Sequence, residues 1–217
     1  MAIFNDHCRF QEVEEHSKEW HELRKQGIGG SDAGTILGLN PYKTNVELWE
    51  EKTSESPTEQ ITNDAIEVGS KSEKHIREIY SLKNKVAVEK LNGTLISIKY
   101  PYMAVNVDGY IAADNGLIEI KTSTIQNAGM LLKWKDQVPD HYFAQCLHAL
   151  AVTRADYIIV IALLYFVTPY QNKVAELREY RINKEDVEDQ IDYLIEKEKE
   201  FWSYVQNKAM PNLKITF

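Results

Sequence analysis

Two stretches decide how this chain reads: Tyr102-Met103-Ala104-Val105-Asn106-Val107-Asp108-Gly109 and, beyond a turn region, Gly116-Leu117-Ile118-Glu119-Ile120-Lys121-Thr122. The second alternates as a strand does, which places Glu119 and Lys121 on one face and Ile118 and Ile120 on the other. One face is built for burial and the other for charge, and Asp108 ends the strand before it. Two carboxylates and one ammonium held together on neighbouring strands suit divalent-metal binding and phosphodiester hydrolysis.

The surrounding pattern supplies the rest of a layered fold. Strands are expected at about 86–91, 94–99, 102–107, 116–122 and 157–167, with a more polar one at 175–182 nearer an edge. Helices are expected at 14–26 around Trp20 and Leu23, from Ser31 or Asp32 as N-cap to Gly38, and at 44–52. Residues 54–62 read as a loop. In the helix at 64–82, Ile66, Gly69, Glu73, Ile76 and Tyr80 fall on one face, so Glu73 points inward and needs a partner. The helix at 139–153 carries Gln145 in the stripe Val138, Tyr142, Gln145, Ala149, Val152. The last, at 184–207, turns Val187, Ile191, Leu194, Phe201 and Trp202 inward. This order predicts an α/β fold with a central mixed β-sheet flanked by helices.

With 217 residues, 43% of them hydrophobic and 27% charged, the chain fits one soluble globular domain over residues 1–217. Its longest apolar run, Tyr157 to Val167, suits a buried strand better than a membrane span. The first ten residues lack a basic flank with an apolar core, and Cys8 and Cys146 can form neither a disulfide framework nor a four-cysteine cluster. A reducing cytoplasm is the expected location. The net charge of −8 argues weakly against nucleic acid, since non-specific binding relies on Lys and Arg. A basic groove on an acidic body, or a bound cation, removes that objection locally.

A bare Asp…Glu-x-Lys pattern is short, and on its own describes surface charges on two half-exposed strands. The buried Ile118–Ile120 face, the glycine after Asp108 and the inward Glu73 favour a site. Asp108, Glu119 and the backbone carbonyl of Ile120 offer oxygen ligands for Mg²⁺, for which Mn²⁺ would substitute, with Glu73 tuning the site or holding a second ion. Lys121 is placed to orient a water or neutralise a developing anion. The glycine-rich run between Arg24 and Pro41 reads equally as a connection between helices and as a phosphate site, built from backbone N–H groups beside Ser31 and the Arg24 guanidinium. It is not a nucleotide P-loop, because no Gly-Lys-Ser/Thr follows. The histidines, including His141 and His148, form no zinc signature.

Taken together, Arg24 … Gly27-Ile28-Gly29-Gly30-Ser31-Asp32-Ala33 … Leu37-Gly38-Leu39-Asn40-Pro41-Tyr42, Gly69-x-x-x-Glu73, Val107-Asp108-Gly109, Ile118-Glu119-Ile120-Lys121 and Tyr142-x-x-Gln145 resemble one family. It is the lambda-exonuclease-like family of viral recombinases, within the D-(D/E)-x-K nuclease superfamily, and the resemblance runs from about residue 18 to 211. It implies a restriction-endonuclease-like core and a Mg²⁺-dependent 5′→3′ exonuclease that degrades one strand of linear double-stranded DNA, leaving 3′ overhangs. By that resemblance Asp108 and Glu119 become metal ligands, Lys121 the catalytic lysine, Glu73 and Gln145 active-site supports, and Arg24 and Ser31 the pocket for the 5′-terminal phosphate. It further implies a homotrimeric ring, a single-strand annealing partner, and a phage or prophage gene acting in the host cytoplasm. The chain departs from the family at Asn106-Val107, where Ser-Pro is frequent before the motif aspartate; the rigidity of that turn is what changes. Two other readings share the core: a structure-specific or restriction-like endonuclease, and a DNA-end-binding recombination adaptor without catalysis.

Overall fold

The strand at Glu119 organises the molecule. In the computed structural model, which describes residues 2–54, 64–167 and 173–214 and gives residues 2–3, 64–71, 167 and 173 by backbone alone, this strand is β7 (Gly116–Ile125). The earlier elements are β1 (Ala2–Ile3), β2 (Cys8–Glu12), α1 (Lys18–Lys25), β3 (Ile28–Gly29), α2 (Gly30–Ile36), α3 (Asn45–Thr53), α4 (Asp64–Asn84), β4 (Gly93–Ser97), β5 (Met103–Val105) and β6 (Gly109–Ile111). After β7 come α5 (Ala128–Leu132), α6 (Asp140–Thr153), β8 (Tyr157–Val167), β9 (Lys173–Asn183) and α7 (Glu188–Gln206). β7 pairs in parallel with β8 along its whole length, and β8 pairs antiparallel with β9, which forms an edge. On the other side β6 covers β7 only from Gly116 to Ile118. From Glu119 onward that side of β7 has no ladder partner among the described residues.

The expected alternation holds. Ile118 and Ile120 pack with Ile159 and Ile161 of β8 and Ile76 of α4 in one buried cluster. Each such isoleucine contributes about 1.5–3 kcal/mol by leaving water. Leu117, on the face of Glu119 and Lys121, belongs to the larger core that includes Ala144, Leu147 and Leu150 of α6. Charge therefore faces α6, and the aliphatic layer faces α4.

The α/β class with helices flanking mixed sheets agrees with the sequence. The strands divide into two sheets, however: β1-β2-β4-β5-β3 and β6-β7-β8-β9, each with both parallel and antiparallel pairs. Local expectations differ in four places. Residues 86–91 form no strand; α4 runs to Asn84, and only Glu89 makes a bridge, to Tyr110. The turn after Asp108 begins with a strand, β6, because Tyr110 and Ile111 can pair back onto β7. β2 pairs with β4 in a stretch whose mixed polarity shows no clean alternation. The short α5 also lacks a sequence signal. The loop expected after Ser54 and the side chains of Ile66 and Gly69 lie outside the described residues.

Candidate active site

Asp108 stands just before β6, at the point where the β7 edge is left open. Its Oδ2 accepts the Ile120 N–H at 2.6 Å, replacing the ladder bond that β6 no longer supplies. In a strand the N–H and C=O of one residue point the same way. The Ile120 carbonyl therefore shares the open edge with Asp108. The Asp108 carbonyl in turn accepts from Arg77 of α4 at 2.9 Å.

On the α6 face, Glu119 Oε1 lies 2.7 Å from Lys121 Nζ and accepts the Gln145 Nε2–H at 2.6 Å. Lys121 Nζ also donates to Gln145 Oε1 at 2.9 Å, so the three side chains close a ring of hydrogen bonds. Glu119 is only 3% exposed. A carboxylate so deeply buried is tolerable because it has these partners. Burial, and next the Glu119 charge, push the Asp108 carboxyl up to about 7 against the pull of Lys121 and the Ile120 N–H. Burial alone would lower the Lys121 ammonium, but Glu119 and Asp108 outweigh it and hold it above its ordinary value.

Glu73, half-buried on α4, is joined to this group by field alone. Burial raises its carboxyl to about 7, with Asp108 and Glu15 adding to the rise and Lys90 and Arg77 opposing it. The structure thus unites Asp108, Glu119, Lys121 and Gln145, and leaves Glu73 on the α4 side.

These donors fit a hard divalent cation. The Glu119 charge disfavours charge on Asp108, a strand carbonyl shares the Asp108 edge, and Mg²⁺ needs only one or two carboxylates beside water and substrate oxygens. Among the described residues no group of three His, Cys, Asp or Glu side chains gathers. His148 is buried and structural: its ring nitrogens lie 2.8 Å from Glu198 Oε1 of α7 and 2.9 Å from the Ala104 carbonyl.

The turn leading to Asp108 is rigid without a proline. Asn106 accepts from Trp20 Nε1 and Thr94 Oγ1, each at 3.3 Å, and donates to the Gly93 carbonyl at 3.0 Å. Three bonds tie that loop to α1 and β4.

The second cluster lies at the start of α2. Arg24 donates to Ser31 Oγ at 2.8 Å, and its guanidinium rests 4.8 Å from the Trp20 ring. The N-cap is Gly29, not Ser31 or Asp32. Asp32 sits at the third helical position and accepts the Gly29 N–H at 2.9 Å, because a carboxylate reaches back to the cap from there. Sequence reading missed its main partner, Lys52 of α3, whose Nζ lies 2.8 Å from Asp32 Oδ2 and 2.6 Å from the Arg24 carbonyl. Burial would raise the Asp32 carboxyl, but Lys52 and Arg24 pull it down to about 2. Ser31 is exposed, and the partly exposed Arg24 guanidinium also lies 3.8 Å from Asp32 Oδ1. The seven-residue α2 has a small dipole, so the guanidinium carries the positive charge here.

The two clusters adjoin: a Cβ on Gly30 would come within 3.1 Å of Gln145 Cγ. Residues 19–156 match the model of the YqaJ-like viral recombinase domain. The chain belongs to that family. Protein YqaJ of Bacillus subtilis (strain 168) is 32% identical over 186 residues, which cover 85% of this chain and 55% of that protein. Protein D345L of African swine fever virus (isolate Tick/Malawi/Lil 20-1/1983) is 27% identical over 163 residues, 64% of this chain and 46% of the viral protein. The chain thus spans about half the length of the curated relatives it matches. Among solved structures, an alkaline exonuclease from Laribacter hongkongensis superposes with a TM-score of 0.68 at 19% identity, covering 89% of this chain and 94% of that one. A phage-related exonuclease from Haemophilus somnus 129PT gives 0.57 at 12% identity, covering 84% and 95%. The fold of this YqaJ-like chain is therefore that of the phage-type exonucleases.

Proposed function

We propose that this chain is a Mg²⁺-dependent DNA exonuclease that degrades the 5′-ended strand of linear duplex DNA and leaves 3′ single-stranded overhangs for recombination. The observation that carries the reading is the closed ring Glu119–Lys121–Gln145 beside Asp108 at the open edge of β7. The exonuclease structures with this fold support it, and the Laribacter enzyme has been crystallised in complex with dAMP.

Asp108, Glu119 and the Ile120 carbonyl would hold the metal, with Glu73 behind Asp108 as an outer contact. Bound there, Mg²⁺ supplies Lewis-acid activation of water and neutralises charge on the scissile phosphate. Lys121, fixed by Glu119 and Gln145, orients the attacking water and offsets the charge that develops on the phosphoryl oxygens. Gln145, bonded to both, fixes Glu119 and Lys121 in one arrangement. Arg24 and Ser31 take the 5′-terminal phosphate, which sets the end of the strand beside the ring and accounts for the polarity. In this reading the protein works as a homotrimeric ring on duplex ends, with a single-strand annealing partner, in the cytoplasm of a phage-bearing host. Mn²⁺ replaces Mg²⁺.

The test is digestion of linear duplex DNA carrying a 5′-phosphate or a 5′-hydroxyl, with Mg²⁺ or with EDTA. Mg²⁺-dependent loss of the phosphorylated strand supports nuclease, polarity and pocket together. Equal loss of both substrates removes the pocket, nicking of closed circles points to an endonuclease, and no digestion under any condition refutes the reading.

A further inference from the structure

Helix α6 brings a second side chain to Lys121, and the mechanism above gives it no task. Tyr142 stands one turn before Gln145, and its ring centroid lies 4.8 Å from Lys121 Nζ. An ammonium has three N–H groups on a flexible four-carbon stem. Glu119 and Gln145 engage it at 2.7 and 2.9 Å, and the Tyr142 ring closes a third side. That ring is itself held. His141 lies 4.0 Å away, centroid to centroid, and Trp134 lies 5.7 Å away. Trp134 is 3% exposed, and its carbonyl accepts from Arg178 at 3.0 Å and from the Tyr180 hydroxyl. The ring that meets the lysine is thus anchored, through Trp134, to β9.

We infer that Tyr142 is a positioning residue for Lys121: its π-face fixes the ammonium in the orientation used at the scissile phosphate, and Trp134 buttresses the ring. Hydrophobic packing alone would be met equally well by leucine. A cation within about 6 Å of an aromatic face gains from the ring quadrupole as well, and leucine has none. The inference rests on the nuclease reading, because the rate it controls is that of DNA hydrolysis.

The test uses the full chain with Tyr142→Phe as host, followed by 4-fluoro-, 3,5-difluoro- and 3,4,5-trifluorophenylalanine at the same position. Fluorine withdraws charge from the ring face while hardly changing its shape. Tyr142→Phe is expected to lose less than about 2-fold in kcat, and the series a further roughly 2- to 5-fold in steps, at constant KM and Tm. Tyr142→Leu should fall at least as far as the trifluoro protein. A flat series in an active enzyme overturns the inference and leaves the nuclease reading intact. A second readout needs no turnover. With ¹³C-lysine, the Lys121 ε-methylene signal, assigned by its loss in Lys121→Arg, should lie upfield under the ring and return in Tyr142→Leu. A signal that does not move refutes the placement, whether or not the protein cuts DNA.

Discussion

Gln145→Ala isolates what the hydrogen-bonded ring does. The substitution removes a 2.6 Å bond to Glu119 and a 2.9 Å bond to Lys121, and leaves the 2.7 Å Glu119–Lys121 pair in place. No charge is stranded, so the fold should survive. Hydrogen bonds to charged groups are worth about 1.5–3 kcal/mol each. Losing two at the lower figure, if both matter in the transition state, costs about 3 kcal/mol, or roughly 10²-fold in kcat. Gln145→Glu keeps the shape but sets a third carboxylate about where a 2.6 Å contact to Glu119 Oε1 now lies. It should slow the reaction at least as much and shift its Mg²⁺ requirement. The assay is the initial rate of nucleotide release from 5′-phosphorylated linear duplex across a Mg²⁺ titration, with Tm as a control. A Gln145→Ala protein within about threefold of wild type at every Mg²⁺ concentration would refute the reasoning, since no group with so little effect can be holding the lysine.

Mg²⁺ at 100 times its Kd should stabilise the wild type by about 2.7 kcal/mol, read as a rise in Tm, and Asp108→Ala should abolish both the rise and hydrolysis. Arg24→Ala should erase the preference for a 5′-phosphate over a 5′-hydroxyl by about 10- to 100-fold while leaving metal-dependent cutting; an unchanged ratio would place the pocket elsewhere. Lys52→Met leaves Asp32 with the Gly29 N–H and, for charge, the distant Arg24, 3.8 Å away, and should destabilise the fold by about 3 kcal/mol in urea denaturation. The Asp32 carboxyl is held at about 2, below its ordinary 3.8. Its contribution, about 2 kcal/mol, is full above pH 4 and disappears as pH falls toward 2, so the gap between wild type and Asp32→Asn should shrink over that window. Gly34→Ala would put a methyl 3.0 Å from His141 Cα and 3.1 Å from its carbonyl oxygen; since backbone cannot swing aside, about 1–3 kcal/mol of stability should be lost.

Much of the site was legible because strand alternation is a local rule. Once Ile118 and Ile120 were given to the core, Glu119 and Lys121 had to face together, and the α6 stripe put Gln145 inward to meet them. The edge character of β9 followed from its polarity. Other features depend on tertiary contacts with no periodicity of their own. Nothing near Asp32 in sequence announces Lys52, which arrives from another helix. Residues 86–91 have strand-like composition, yet α4 extends to Asn84 and leaves Glu89 only one bridge to make. Asn106-Val107 in place of Ser-Pro says only that the turn's rigidity changes, and its three bonds to α1 and β4 reveal how the turn is fixed. The separation of Glu73 from the ring was also hidden: the helical stripe says it points inward, but not toward which face of β7.

The two clusters are joined by backbone. Gly30 and Gly34 lie one turn apart on α2, and a Cβ on either would press on α6: on Gln145 Cγ at 3.1 Å from the first, on His141 Cβ at 2.9 Å from the second. α2 therefore sits on α6 about as closely as two helices can. Ser31 follows Gly30 directly, and Arg24 is tied to Ser31, so the spacing from that pair to the Glu119–Lys121–Gln145 ring is set where the α2 backbone meets the Gln145 side chain at Gly30 and the His141 backbone at Gly34. Under the proposed function, reading a strand end at one cluster and cutting at the other needs that distance fixed, because a shift of about 1 Å can cost 10²-fold in rate. The glycines of the opening motif thus serve the site through the gap they close, although they carry no functional group themselves.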